Sequence, residues 1–212
     1  MTDTKNYKDM HTLLTNEFIS YYSLPTPLIN NWYLNTNDTY FEIEDTNEGE
    51  IVKYTTRGLG MAKFTNNHAL NFCILNYDKF ITSIASEPFK NGRKRCDLII
   101  YSNSDRYFIL GELKDRIPKS KVRSSAKKQL LSSLQTIKEV PEIDSFINSK
   151  TIKRCCYFNK QSNSPISLRV TTAFNRLATI YPSGFKMSKP DLESLGFEFY
   201  EYTGEQTMVL SN

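Results

Sequence analysis

Arg93-Lys94-Arg95-Cys96-Asp97-Leu98-Ile99-Ile100 is followed, one turn later, by Tyr107-Phe108-Ile109-Leu110-Gly111-Glu112-Leu113-Lys114. Both stretches are short and rich in β-branched and aromatic residues, so each reads as a strand. Asn103-Ser104-Asp105 between them has turn chemistry. Side chains two apart on a strand share a face. Glu112 and Lys114 therefore project together, with Leu113 on the opposite side. Asp97 opens the first strand and Glu112 lies near the end of the second, so an antiparallel pairing brings the two carboxylates side by side.

Working outward, residues 80–85 read as a strand preceding this pair, separated from it by an Asn91-Gly92 turn. The three strands would form a meander. Upstream, apolar residues Met61, Phe64, Leu70, Phe72, Cys73 and Ile74 predict a helix over residues 60–77. Downstream, Val122, Ala126, Leu130, Leu134 and Ile137 recur at helical spacing, predicting a long amphipathic helix over 121–139 that stops at Pro141. Residues 152–158 read as a strand parallel to the third, because a helix intervenes. Near the C-terminus, Ser188 is a candidate N-cap of a helix ending at Gly196. Residues 197–202 and 207–210 read as closing strands. At the other end, residues 8–22 predict a helix broken before Pro25 and Pro27, and the polar stretch 30–49 loops around a short strand at 40–43. Together these predict one α/β domain, with a mixed central sheet of about four or five strands flanked by helices. Residues 58–160 would form its core, 1–57 an N-terminal accessory or cap segment, and 161–212 a C-terminal elaboration.

Bulk properties are those of a folding chain. Of 212 residues, 39% are hydrophobic and 24% charged. The net charge of +4 is compatible with a polyanionic partner without demanding one. Cys73, Cys96, Cys155 and Cys156 include no C-x-x-C pair, and there are only two histidines, too few for a zinc set. Adjacent Cys155 and Cys156 in an apolar run read as small buried hydrophobes. Reduced cysteines, a polar N-terminus without a secretory h-region and no membrane-length apolar run predict a soluble, cytoplasmic protein. There is no phosphate-binding G-x-x-x-x-G-K-[ST] loop and no G-x-S-x-G elbow. Arg57-Gly58-Leu59-Gly60 is too short to be a dinucleotide fingerprint.

Two neighbouring carboxylates repel, and burying them is costly unless a cation joins them. Mg²⁺ takes hard oxygen ligands, commonly one or two carboxylates plus water and substrate phosphate. A lysine beside it can orient water or offset charge in the transition state. The pattern Asp97…Glu112-Leu113-Lys114, with the helix–meander–helix–strand order over about 60–158, resembles the PD-(D/E)xK nuclease superfamily. That superfamily has a restriction-endonuclease-like fold and includes restriction enzymes, resolvases and nuclease subunits of anti-phage systems. Cys96 stands where the motif's proline would be.

The resemblance implies a Mg²⁺- or Mn²⁺-dependent endonuclease, with DNA as the expected substrate and a prokaryotic defence or restriction setting. Asp97 and Glu112 would hold metal, and Lys114 would position the nucleophilic water. The family's extra acidic ligand on the preceding helix is missing from residues 62–76. Glu87 is the substitute, followed by Glu50. Viral cap-snatching endonucleases, relatives of this fold, use a helix histidine for manganese, which points to His68. On the long helix Gln129 is the candidate polar residue facing the site. Lys119, Lys121, Arg123, Lys127 and Lys128, with Arg93 and Arg95, form a candidate phosphate-binding patch. A chain this small would draw sequence choice or activation from homodimerisation or a partner protein. Two rival readings are a non-catalytic nucleic-acid-binding module and a protein-interaction subunit on the same fold.

Overall fold

The computed structural model describes residues 9–211 apart from 28, 30, 47, 85, 87, 88, 90–93, 117–119, 161–179 and 181. Chain order is a helix α1 over residues 10–21, with a π-helical middle at Leu13–Phe18, then strands β1 (Tyr33–Thr36), β2 (Tyr40–Asp45), β3 (Ile51–Tyr54), β4 (Ala62–Asn66) and β5 (Phe72–Asn76). Helix α2 (Tyr77–Ser83) leads to β6 (Leu98–Ser102) and β7 (Tyr107–Lys114), then helices α3 (Ser120–Lys138) and α4 (Pro141–Asn148). Strands β8 (Ile152–Asn159) and β9 (Phe185–Met187), helix α5 (Pro190–Glu193) and strands β10 (Glu198–Thr203) and β11 (Met208–Leu210) follow.

The mixed central sheet has the order β1-β5-β6-β7-β8-β10-β9, and a second sheet has the order β11-β4-β2-β3. In the central sheet β7, β8 and β10 are parallel and the other pairings antiparallel. The fold is thus mixed α/β, but its central sheet has seven strands among the described residues rather than four or five. Helices cover one face, where Ile99, Phe108, Leu110 and Cys155 pack with Ala126 and Leu130. The second sheet covers the other face, where Ile100, Ile109 and Phe158 meet Phe41, Ile43 and Phe64. Because successive strand side chains alternate, the same β7 strand feeds both cores. Residues 31–57 are woven into both sheets, β1 at an edge of the central one and β2 and β3 in the second.

Two neighbouring predictions are exchanged. Residues 60–77 are not a helix but strands β4 and β5. The Asn66 side chain closes the turn between them, its Nδ2 donating to Leu70 O (2.9 Å) and its Oδ1 accepting from Leu70 N (3.0 Å). That local alternative to helical bonding outcompetes the helix. Conversely, residues 80–85 do not begin with a strand. Asn76 caps α2 by accepting from Lys79 N at 2.9 Å, and buried Tyr77, Phe80, Ile81 and Ile84 carry the 3.6-residue period. The meander is β5–β6–β7. Its Asn91-Gly92 turn lies outside the described residues. Pro141 does not merely end α3: it occupies the first turn of α4, where its missing N–H costs nothing. The N-cap of α5 is Lys189, not Ser188, and Gly196 follows that helix with φ +81°.

The expected parallel strand after α3 is observed, with Tyr107–Lys114 in register with Ile152–Asn159. All four cysteines are free and buried.

Gly60 is fixed by packing. A Cβ there would lie 2.5 Å from Glu42 Cβ and 2.9 Å from Ile43 N. Its N–H, with that of Gly58, donates to the fully buried Glu42 carboxylate at 2.6 and 2.8 Å. Gly60→Ala is expected to cost about 1–3 kcal/mol or more. Urea unfolding should show a lower midpoint, and an unchanged midpoint would remove this constraint.

Candidate active site

The register Leu98↔Gly111 places Asp97 beside Glu112. Asp97 is fixed before its chemistry begins. Its N–H donates to Gly111 O (3.1 Å), its carbonyl accepts from Tyr77 N (2.9 Å), and its Oδ2 accepts from Leu113 N (2.6 Å). Glu112 and Lys114 share its face. Lys114 Nζ stands 2.5 Å from Glu112 Oε1 and 3.8 Å from Asp97 Oδ2. The three residues singled out in the sequence are therefore together, on the helix-covered side of the central sheet and at the C-terminal end of β7.

Burial sets the electrostatics. The Glu112 side chain is 0% exposed and that of Asp97 14%. Glu112 Oε1 is answered by Lys114 Nζ, and Glu112 Oε2 has no partner among the described residues. Burial first, then the Asp97 charge, pushes the Glu112 carboxyl up to about 8 against the pull of Lys114. Burial also raises Asp97 to about 6, opposed by Lys114 and the Leu113 N–H. For Lys114, burial works against the ammonium, but Asp97 and Glu112 outweigh it and hold the proton more firmly than usual. Two raised carboxyls sharing one ammonium are short of positive charge.

Two further acids belong to this neighbourhood. The charges of Asp45, at the end of β2, and Asp78, in the first turn of α2, both raise Asp97. Asp78 also raises Glu112, and burial together with Asp78 raises Asp45. Asp78 is an acid in the first turn of α2, where it pairs with Arg95. Its signal was the Asn76 cap, which a strand reading of 80–85 conceals. Asp45 gave no local signal, because the second sheet brings it in.

The other candidates sort by position. His68 is exposed in the β4–β5 turn, not on a helix. Since Phe72 pairs with Ser102 and Asn76 with Leu98, it lies at the end of the sheet away from Asp97. Glu50 is ion-paired with Lys79, whose Nζ lies 2.6 Å from Glu50 Oε2. Arg95 is spent on α2, pairing with Asp78 and donating to Thr82 Oγ1 at 2.9 Å. Arg123 and Lys127 face Glu201 of β10 at 3.3 and 3.1 Å. Lys121 and Lys128 are exposed. Glu87, Arg93 and Lys119 lie outside the described residues.

Gln129 reaches the segment that leads into Asp97: its Nε2 donates to Arg95 O at 2.9 Å. One turn on, Ser133 Oγ accepts from Cys96 N at 2.7 Å. Helix α3 thus holds the two residues preceding Asp97. Ser133→Ala would leave the buried Cys96 N–H unpaired at about 1–3 kcal/mol. It should lower both thermal stability and any activity depending on Asp97. Unchanged stability would show that the Cys96 N–H finds another partner.

Among the described residues no group of three or more His, Cys, Asp or Glu side chains forms a ready metal cage. A Mg²⁺ or Mn²⁺ site of the kind considered needs only one or two carboxylates, completed by water and phosphate. The donors here fit it: hard oxygens, a buried carboxylate with one oxygen unpartnered among the described residues, and an adjacent ammonium. No helix among the described residues is long and apolar enough to cross a membrane. Comparisons of the chain with family models, with curated proteins and with solved structures return no match.

Proposed function

We propose that this chain is a Mg²⁺- or Mn²⁺-dependent nuclease that hydrolyses phosphodiester bonds, with DNA as the leading substrate, on a restriction-endonuclease-like core. The observation that carries the reading is Glu112, a fully buried carboxylate beside Asp97, whose Oε1 faces Lys114 Nζ at 2.5 Å and whose Oε2 has no partner among the described residues. One ammonium shared by two buried carboxylates leaves negative charge that a further cation would answer. Asp97 and Glu112 would hold the metal, with Asp45 and Asp78 adding negative potential behind Asp97. The bound metal supplies a more acidic water and a Lewis acid for the phosphoryl oxygens. Lys114 keeps a permanent ammonium at the same spot, able to orient water and offset charge gathering on the phosphate. Exposed Lys121 and Lys128 would meet the backbone beyond the site. The family resemblance extends the proposal to a prokaryotic defence role and to activation through a second copy or a partner protein.

Plasmid and labelled single-stranded DNA and RNA, incubated with Mg²⁺, Mn²⁺ or EDTA, provide the test. Cutting of at least one substrate with metal and none with EDTA is expected. EDTA-resistant cutting by the pure protein would overturn the metal-dependent reading. Salt-sensitive binding without cutting of any substrate would favour a binding module.

A further inference from the structure

The last residue of β8, Asn159, is buried and pairs in register with Lys114. Its side-chain amide takes hold of the Arg116 backbone at both polar groups. Asn159 Oδ1 accepts from Arg116 N (3.1 Å), and Asn159 Nδ2 donates to Arg116 O (2.9 Å). A neighbouring strand normally answers the N–H and C=O of a strand residue; here one side chain does both. The clamp is itself anchored, because Asn159 O accepts from Gly204 N (3.0 Å) and Lys114 O accepts from Lys160 N (2.9 Å). Arg116 is therefore held two residues past Lys114, no more than about 7 Å of chain away.

The guanidinium end is left open. Arg116 is exposed, and its side chain has no hydrogen bond or ion pair among the described residues. By contrast Arg95, Lys79, Lys160, Arg123 and Lys127 are each answered by a carboxylate. The Arg116 charge is felt on the helix-covered face of the sheet. At Lys114, behind burial, Asp97 and Glu112, it opposes the ammonium. At Tyr157, which pairs with Glu112, burial first and then Glu201 raise the hydroxyl to about 12, and Arg116 is among the charges pulling it back. Arg116 is thus a second permanent cation within electrostatic reach of the site, fixed by its backbone and unoccupied at its fork. Such a fork matches the paired oxygens of a phosphate. A phosphodiester approaching Asp97 and Glu112 meets two carboxylates and one ammonium. A second fixed cation lowers the cost of that approach and of the charge that builds on the phosphate.

We propose that Arg116 pairs with the non-bridging oxygens of the scissile phosphate and that Asn159 is its positioning residue. In the hydrolysis a water oxygen bonds to phosphorus as the bridging P–O bond breaks; the water gives up one proton and the leaving oxygen takes one up. Arg116 keeps its own protons throughout and contributes charge alone. With its backbone already fixed, less ordering is left for the moment of binding. The proposal rests on the nuclease reading and adds two residues that neither the motif nor the basic run of α3 contains.

The test measures binding and cutting separately on one set of proteins: wild type, Arg116→Ala, Arg116→Lys, Asn159→Ala, the double variant Arg116→Ala with Asn159→Ala, Glu112→Gln and, as control, Lys189→Ala on α5. Binding of fluorescent single-stranded and duplex oligonucleotides is followed in EDTA over a range of salt. KM and kcat are measured in Mg²⁺. Arg116→Ala should keep the wild-type melting temperature, because its exposed side chain has no bond to lose. It should reduce the salt slope by about one and lower kcat at least about tenfold. Arg116→Lys should restore the salt slope but not kcat, since an ammonium keeps the charge and loses the fork. Asn159→Ala should lower kcat several-fold, and the double variant should be no slower than Arg116→Ala, because the clamp acts through the arginine. Additive losses in the double variant would leave Asn159 a structural residue and overturn its positioning assignment.

Wild-type kcat and salt slope in Arg116→Ala, with Glu112→Gln inactive, would sink the arginine assignment and leave the nuclease reading standing. No cutting by wild type, with oligonucleotide binding that Arg116→Ala weakens, would sink the nuclease reading and leave Arg116 as a phosphate contact. Neither cutting nor any binding that Arg116→Ala weakens would sink both.

Discussion

Glu112→Gln and Asp97→Asn are each expected to lower the proposed metal-dependent cleavage by at least about a thousandfold, equivalent to roughly 4 kcal/mol of transition-state stabilisation. Both substitutions keep the shape of the side chain and remove its charge. For Glu112 the loss would be of a proposed metal ligand whose neighbouring donor is Lys114 Nζ, 2.5 Å away. For Asp97 the amide oxygen of Asn can still accept from Leu113 N, which Asp97 Oδ2 does at 2.6 Å, so the variant isolates the loss of charge. Lys114→Met should cost less, about a hundredfold, since the lysine assists charge development without holding the metal. Its KM should change little. Rates of all variants come from initial velocities at saturating substrate and metal. A Glu112→Gln protein that cuts within tenfold of wild type would remove this carboxylate from the chemistry.

The second large effect is on stability, and its sign follows from the raised carboxyls. Unfolded Glu112 ionises near its ordinary 4.5, but folded Glu112 only near 8. Between those values the folded chain binds more protons than the unfolded chain, so stability falls as pH rises. The slope approaches about 1.4 kcal/mol per pH unit for one such group. Asp97, raised from 3.8 to about 6, steepens the fall only at the acid end. From pH 6 to 8 in EDTA, Glu112 alone should lower the melting temperature by roughly 3–6 °C per pH unit. Glu112→Gln should flatten this window. Mg²⁺ should stabilise wild type most at pH 8, because a cation replaces the proton. A wild-type melting temperature that is flat from pH 6 to 8, or an equal slope in Glu112→Gln, would contradict the placement of this charge.

The centre of the molecule was legible because its signals are local. Leu98–Ser102 and Tyr107–Lys114 are apolar strands joined by a turn, and Ala126, Leu130, Leu134 and Ile137 mark the helix that forces β8 to run parallel to β7. That order alone brings Asp97, Glu112 and Lys114 together. The exchange of helix and strand between residues 60 and 85 shows where local signals fail. There the decisive groups were two asparagines, Asn66 closing a turn and Asn76 capping a helix. Each acts through a side-chain bond that periodicity does not register. Asp45 escaped notice because its place depends on how a second sheet packs. In the basic run on α3 the helical spacing was legible but the partners were not: Arg123 and Lys127 face Glu201 on β10, and Gln129 donates to the Arg95 carbonyl.

The central claim is that Asp97 and Glu112 hold a divalent metal, and it can be tested without knowing the substrate. Electron paramagnetic resonance of Mn²⁺, titrated into wild type, Asp97→Asn and Glu112→Gln at pH 8, counts bound ions directly. Wild type should bind Mn²⁺ in competition with Mg²⁺, and both variants should weaken that binding by at least about tenfold, 1.4 kcal/mol. Equal Mn²⁺ binding by all three proteins would place the metal elsewhere and contradict the account.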